Sequence, residues 1–314
     1  MDRPLVSVIT VTYNSALYVR DAIESVLHQS YTNIEYIIGD DCSTDSSWNI
    51  IQEFKDRRIK AYRNDRNLGE YPNRSKAIGL ASGKYCMFID GDDIIYSHGV
   101  SFFVEMMEEF PAAAYAVQKN YYNNIVYPVL LSSRDVIVNY FFGKISFLTS
   151  SFASNFFRTD ILRKEGGLST DFKIGDDEIR LRLACKYPVL LVAGWVTWPR
   201  ETPQQASSKL QNWTGLSELF HVVRTLKEKG LFQRLGAGLN EAIMGRMDSR
   251  VVREIKRCLR TGRFKSARSL MKATGTTGRR LLRKEPAGTC PEDFLADSTP
   301  SRPYKQPIVF TPEE

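Results

Sequence analysis

Tyr85-Cys86-Met87-Phe88-Ile89-Asp90-Gly91-Asp92-Asp93 is an apolar run that ends abruptly in three carboxylates. Five apolar residues are too few for a helix and suit a strand buried on both faces. Gly91 lets the backbone turn tightly and approach a ligand. Three carboxylates within four residues repel one another unless a cation neutralises them. Mg²⁺ or Mn²⁺ is the natural partner, because hard cations take oxygen ligands and are shared with phosphate oxygens. A solvated acidic turn is the competing reading of the tetrapeptide alone, so its surroundings decide.

Upstream, strands and helices alternate. Val6-Ser7-Val8-Ile9-Thr10-Val11 reads as a buried strand ended by Tyr13-Asn14-Ser15. Ser15 is placed to cap a helix over 17–29, where Val19, Ile23, Val26 and Leu27 make one apolar stripe. A second strand, 34–38, runs into Gly39-Asp40-Asp41-Cys42-Ser43, and Asp45 or Ser46 caps a helix holding Trp48, Ile51 and Phe54. A strand over 59–62 and a helix over 73–81, stopped near Gly83, lead into the strand that ends at Asp90. The alternation predicts a mostly parallel sheet with helices on both faces. Ligands of such sheets sit beyond the carboxyl ends of the strands. Here those ends carry Thr12-Tyr13-Asn14, Asp40-Asp41 and Asp90 to Asp93, which favours the metal reading over the solvated turn.

Other charged positions admit two uses each. An aspartate at Asp41 can accept from a ribose hydroxyl or a uracil imide N–H, whereas Asp40 could equally cap the helix that follows. Arg74, on the first turn of its helix after Asn67-Leu68-Gly69, is suited to clamp phosphate or lie against a base, being planar and permanently charged. Asp176-Asp177-Glu178 either meets the positive end of a helix dipole or presents Asp176 as a general base. The spacing alone leaves both open.

Composition narrows the class. The 314 residues are 43% hydrophobic and 25% charged, an ordinary globular balance with room for one large domain and an appendage. Met1-Asp2-Arg3-Pro4 does not begin a secretory signal, and the longest apolar stretch, 136–152, is broken by Asn139, Gly143 and Lys144, so a cytoplasmic protein is expected. Five scattered cysteines without C-x-x-C spacing fit reduced thiols better than disulfides or zinc. His28, His98 and His221 form no ligand spacing. No G-x-G-x-x-G, Walker loop or G-x-S-x-G elbow occurs, which counts against nicotinamide, ATP and serine-hydrolase chemistry. The net charge of +7 is uneven: 209–290 holds 19 Lys and Arg against 6 Asp and Glu. That segment reads as basic and helical from Leu216, and the proline-rich tail from 286 to 314 as disordered.

Together these strings resemble the family 2 glycosyltransferases. The resemblance runs through VSVITVTYNS, SVLHQSY (25–31), IIGDDCSTD (37–45), NLG at Asn67, the Arg74 helix, ASGKYCMFIDGDD (81–93) and GDDEIRLRLA (175–184), roughly the first 210 residues. It implies a GT-A fold, α/β with a Rossmann-like, mostly parallel sheet, over residues 1–212. Within it, 1–100 would be the nucleotide-binding half and 101–212 the acceptor half, with a basic helical region at 213–285. It implies inverting, metal-dependent transfer from a nucleotide sugar, UDP-linked by resemblance, to a glycan or lipid-linked acceptor hydroxyl, in the setting of bacterial surface polysaccharide. Thr12 and Tyr13 would line the nucleotide pocket and Asp41 would bind uracil or ribose. Arg74 would contact base or phosphates, and Asp90 ribose and sugar. Asp92, with Asp93, would hold Mn²⁺ or Mg²⁺. Asp176 would be the catalytic base, and Arg200, Gln205 and Ser207 would belong to a loop over the diphosphate. Three positions depart from the family pattern: Gly175 replaces the usual Glu before the base, Thr202 stands where many members carry a histidine, and Ser75 replaces an asparagine.

Two other classes fit the sequence less well. A nucleotidyltransferase would carry a Gly- and Arg-rich first loop, which Thr12-Tyr13-Asn14 is not, and a non-catalytic scaffold would not need all these acids. In the basic region Arg250, Arg253, Arg257 and Arg260, interleaved with Val251, Ile255 and Leu259, could lie on anionic lipid. An oligomer contact or a solvated face competes with that reading. Nucleic acid is not expected, because no recognition module is present.

Overall fold

Val6–Thr12 forms the first strand, β1, with every residue buried. Val6 and Val8 belong to one apolar cluster and Ile9 and Val11 to another. A run rich in Val and Ile, with Ser7, Thr10 and Thr12 buried alongside, is therefore what a strand covered on both faces requires. The computed structural model describes residues 3–119, 127–143, 151–200, 202 and 212–282.

From β1 the chain alternates through α1 (Val19–Leu27), β2 (Ile34–Asp40), α2 (Ser47–Glu53), β3 (Ile59–Arg63), α3 (Glu70–Leu80) and β4 (Tyr85–Phe88). These four strands are parallel, with β1 between β2 and β4. A short β5 (Ile94–Ile95) and α4 (Gly99–Glu109) lead to β6 (Tyr115–Gln118), β7 (Val129–Leu131), α5 (Ser133–Phe142), β8 (Asn155–Arg158), α6 (Thr159–Lys164), α7 (Gly175–Ala184), β9 (Val189–Val192) and β10 (Thr197–Trp198). The eight-stranded sheet runs β3-β2-β1-β4-β8-β6-β9-β7, with β8 antiparallel to both neighbours. This mixed sheet with helices on both faces is the GT-A architecture that the resemblance implies. β1 and β2 end in register, Thr12 opposite Asp40, and Asp40 faces Arg63 on β3.

The first helix begins later than its sequence suggests. Ser15 does not cap it: the helix opens at Val19 with Tyr18 at the cap position. The backbone N–H groups of Asn14, Ser15 and Ala16 instead donate to Ser43 Oγ, Ser47 Oγ and Asp45 Oδ2, at 3.0, 2.8 and 3.0 Å. Residues that would have started the helix thus tie the end of β1 to the turn after β2. α3 differs in the other direction, starting at Glu70 rather than near residue 73.

Beyond the sheet lie α8 (Asn212–Glu228), α9 (Leu239–Arg260), α10 (Phe264–Thr274) and α11 (Gly278–Leu282). Val222, Val223, Ile243, Met247, Val251, Ile255 and Leu270 join the same apolar cluster as Ile9, Ile37 and Ile179. The basic helices therefore share the core that covers the α3–α5–α7 face of the sheet. The expected boundary at 212/213 falls at the start of α8, and the expected tail at 286–314 lies outside the described residues.

Candidate active site

The carboxyl ends of β1, β2 and β4 meet at one edge. Asp41 N donates to Thr12 O at 2.8 Å, which fixes the two turns against each other. Gly91 packs on Thr12: a Cβ there would lie 2.7 Å from Thr12 Oγ1. Thr12 Oγ1 is buried and has no hydrogen-bond partner among the described residues, and Tyr13 beside it is 48% exposed. Asp41 is turned inward. Its Oδ1 accepts from Asn64 Nδ2 (2.8 Å) and Leu68 N (2.9 Å), and its Oδ2 from Gly69 N (2.8 Å), so it orders the loop before α3. Oδ2 retains capacity for one further donor. Asp40 takes the local role: its Oδ2 accepts from Ser43 N at 3.0 Å and pairs with Arg63 at 3.3 Å.

α3 reaches every acidic element of this edge, which sequence reasoning did not foresee. Asn73 donates to Gly39 O (2.9 Å) and accepts from Asn64 and Tyr62, joining α3 to β2. Arg74 is 2% exposed, pairs with Glu70 and Asp90, and lies 4.9 Å from the Phe152 ring centroid. Its Nη1 and Nη2 are taken by Glu70 and Asp90, whereas its buried Nε has no hydrogen-bond partner among the described residues. Tyr71 Oη lies 3.2 Å from Asp176 Oδ1, and Ser75 Oγ donates to Leu168 O at 3.0 Å. Tyr71, Arg74 and Ser75 share one face by helical spacing, and that periodicity is the signal that could have found them.

Asp176 sits in the first turn of α7 with Asp177 and Glu178. Arg180 reaches back to both, 3.3 Å from Asp176 Oδ2 and 2.7 Å from Asp177 Oδ1. Burial, with the charge of Asp176 beside it, raises the Asp177 carboxyl above its ordinary value despite Arg180. A Cβ at Gly175 would come within 2.9 Å of Tyr71 Cδ1 and 3.1 Å of Ser169 O. The ring of Tyr71 therefore occupies the room that a side chain at 175 would need.

The segment after β9 closes onto the acidic turn. Trp198 and Thr197 pair antiparallel with Ile94 and Ile95. Arg200 N then donates to Asp93 Oδ1, and Thr202 Oγ1 to Asp92 Oδ2, both at 3.1 Å. Arg200 Nη2 bonds Asp21 on α1 at 2.9 Å, with its guanidinium 4.9 Å from the Tyr18 ring and 5.4 Å from that of Trp198. Gln205 and Ser207 lie outside the described residues.

The acidic turn carries excess negative charge. Burial, then Asp90, raises the Asp92 carboxyl, and burial with both neighbours raises Asp93 well above the carboxylate range. Asp93, expected as a ligand beside Asp92, is 4% exposed and anchors the Arg200 backbone, whereas Asp90 and Asp92 stand at the open edge. No three His, Cys, Asp or Glu side chains among the described residues form a complete cage. A partly exposed carboxylate outside a closed cage, as at Asp92, suits a hard divalent cation that also binds ligand phosphates.

The model of Glycosyl transferase family 2 matches residues 7–166. Among similar proteins is the Escherichia coli UDP-Glc:alpha-D-GlcNAc-diphosphoundecaprenol beta-1,3-glucosyltransferase WfaP, 37% identical over 121 residues, 37% of this chain and 48% of that protein. The chain spans less than half the length of the curated relatives at the head of the comparison. S. aureus TarS 1–349 in complex with UDP-GlcNAc superposes with a TM-score of 0.61 at 16% identity, over 85% of this chain and 90% of that one. The mannosyltransferase PcManGT from Pyrobaculum calidifontis in complex with GDP-Man and Mn²⁺ gives 0.58 at 15%, over 87% and 84%. At these identities the two structures share the fold.

Proposed function

The chain belongs to glycosyl transferase family 2, and from that membership we propose that it moves a sugar from a UDP-linked donor to an acceptor hydroxyl, with inversion at the anomeric carbon. One observation carries the reading: a single turn of α3, Tyr71 to Arg74, holds the donor-side acid through Arg74–Asp90 and the acceptor-side acid through Tyr71–Asp176. Two acids held by one rigid turn keep a fixed separation, which an in-line displacement between donor and acceptor requires.

Asp176 takes the proton of the attacking acceptor hydroxyl as general base. Tyr71 and Arg180 orient its carboxylate from either side. Thr12, Tyr13 and Asp41 hold the nucleoside, with the exposed Tyr13 ring available to the base and the spare capacity of Asp41 Oδ2 to a ribose or uracil donor. Asp90 meets ribose and sugar and is held in place by its ion pair with Arg74. Asp92 would hold Mn²⁺ or Mg²⁺, which when bound neutralises charge on the leaving diphosphate. Asp93 and Arg200 keep the acidic turn in place, and Arg200 lends positive charge on the diphosphate side. The name of WfaP states a lipid diphosphate-linked acceptor; the same acceptor class is our proposal here, in bacterial glycan synthesis.

Calorimetric titration of UDP, GDP and dTDP, with and without Mn²⁺, tests the donor half. Metal-dependent, UDP-selective binding that disappears in Asp92→Asn is the expected result. Binding of no nucleotide under any condition would overturn the proposal.

A further inference from the structure

The reversal between α9 and α10 is a closed, well-bonded tip. Gly262, with φ 72°, lets Arg263 N bond Cys258 O at 2.8 Å and Gly262 N bond Leu259 O at 3.3 Å. That is the paired pattern of a Schellman stop, and α10 starts immediately afterwards at Phe264. Behind the tip, Ile255, Cys258, Ala267 and Leu270 are buried in the core. In front of it, Phe264 is 65% exposed and Leu259 39% exposed. An aromatic ring at the first position of a helix could have packed back on the preceding one; here the fold leaves it in water.

The charge around this ring has one sign. From residue 255 to 282 the chain carries nine Lys and Arg and no Asp or Glu. Arg257 and Arg263 share Glu254, at 2.7 and 3.9 Å, and Arg280 pairs with Asp248. Arg260, Lys265 and Arg268 are exposed and have no acid within their own segment. A merely solvated face accounts for the cations and leaves the ring unexplained. A nucleic-acid surface would need a groove or a stacking platform, and this tip is a convex turn. Apolar side chains ringed by cations match the boundary between acyl chains and anionic headgroups, where the ring enters the boundary and the cations meet lipid phosphates.

We propose that the α9–α10 tip docks on an anionic bilayer surface, with Leu259 and Phe264 inserting and Arg260, Arg263, Lys265 and Arg268 binding headgroup phosphates. The inference rests on this surface alone and survives or fails independently of the transfer reaction. None of these residues touches the candidate active site.

Co-sedimentation of the full chain with vesicles tests it. The protein should pellet with phosphatidylcholine vesicles containing roughly one-third phosphatidylglycerol and stay in solution with phosphatidylcholine alone, because each basic residue near such a surface strengthens binding about fivefold. Roughly 0.5 M salt should release it, since screening then acts within a few ångströms. Phe264→Ala should weaken partitioning about fivefold or more at unchanged melting temperature. The triple change Arg260→Glu, Arg263→Glu, Lys265→Glu should weaken it by about two orders of magnitude or more. Equal binding to neutral vesicles, no binding, or wild-type partitioning of Phe264→Ala would overturn the proposal. So would a DNA duplex bound as tightly as the anionic vesicles, or a doubled mass in light scattering that the triple change abolishes. The single Phe264→Ala variant keeps the test decisive should the triple one fail to fold.

Discussion

Tyr71 Oη stands 3.2 Å from Asp176 Oδ1 and the same distance from Lys173 O. A phenol has one hydrogen, so it serves the carboxylate and the carbonyl in turn, and burial raises the phenol so that it stays protonated. Under the proposed mechanism this contact aims the general base. Tyr71→Phe keeps the ring and removes the hydroxyl. We expect kcat to fall about three- to tenfold, the worth of one hydrogen bond, with the donor KM unchanged. Steady-state transfer or donor hydrolysis with a UDP-sugar would read it; a rise in donor KM at constant kcat would assign Tyr71 to donor binding instead.

Gly175 depends on the same ring. With a Cβ only 2.9 Å from Tyr71 Cδ1 and 3.1 Å from a backbone carbonyl, Gly175→Ala should cost about 1–3 kcal/mol of stability, the usual range for overpacking. Because part of the clash is with Tyr71, Tyr71→Ala should recover some of that loss. Urea melts of the two single variants and the double variant measure the coupling. Strict additivity would show that the two positions do not compete for space, and would leave the missing glutamate at 175 without a structural account.

Asp176 and Asp92 should separate cleanly. Asp176→Asn is expected to lower turnover ~10²–10⁴-fold as a lost general base, while UDP still binds in the presence of Mn²⁺. Asp92→Asn should lose the metal-dependent part of nucleotide binding itself. Near-normal transfer by Asp176→Asn would remove it from the base role and direct attention to Asp177, which shares Arg180 with it.

Much of this site was legible because the signals were local. β1 and β4 are rich in apolar residues and give way to polar ones at their carboxyl ends, so the strands and the edge they share followed from short strings. The start of α3 was not legible, since Pro72 reads as an interruption. In fact Pro72 lies in the first turn, where the missing N–H has no helical partner to lose. That displaced Glu70 and Tyr71 out of the predicted helix and hid their partnership with Arg74 and Asp176. Arg200 with Asp21, 179 residues apart, depends on chain closure that no periodicity encodes. The sequence suits Arg74 to phosphate or a base, and its burial follows from the pairing with Glu70 and Asp90, of which the Asp90 partner lies on another element that helical spacing does not reveal.

Glu35 carries the last prediction, and it concerns the sheet rather than the reaction. It is the second residue of β2, followed by Tyr36-Ile37-Ile38, with a side chain only 7% exposed. Burial alone would raise its carboxyl. Hydrogen bonds from Lys60, Ser7 and Ser82 outweigh that and hold it at about 2, against an ordinary 4.5. Gly83 N adds a donor at 3.1 Å, so Glu35 pins the start of β4 to β2. A folded-state pKa below the unfolded one stabilises the fold fully above about 4.5, and the contribution is lost as pH falls toward about 2. Allowing for the solvent exposure of Lys60, Glu35→Gln should cost on the order of 2 kcal/mol at pH 7. The gap between wild type and variant should narrow steadily below pH 4.5, as seen in denaturant melts at a series of pH values. A gap that stays constant down to about pH 3 would mean that the contribution comes from shape and neutral hydrogen bonding, and that the charge on Glu35 contributes nothing to holding β2 and β4 together.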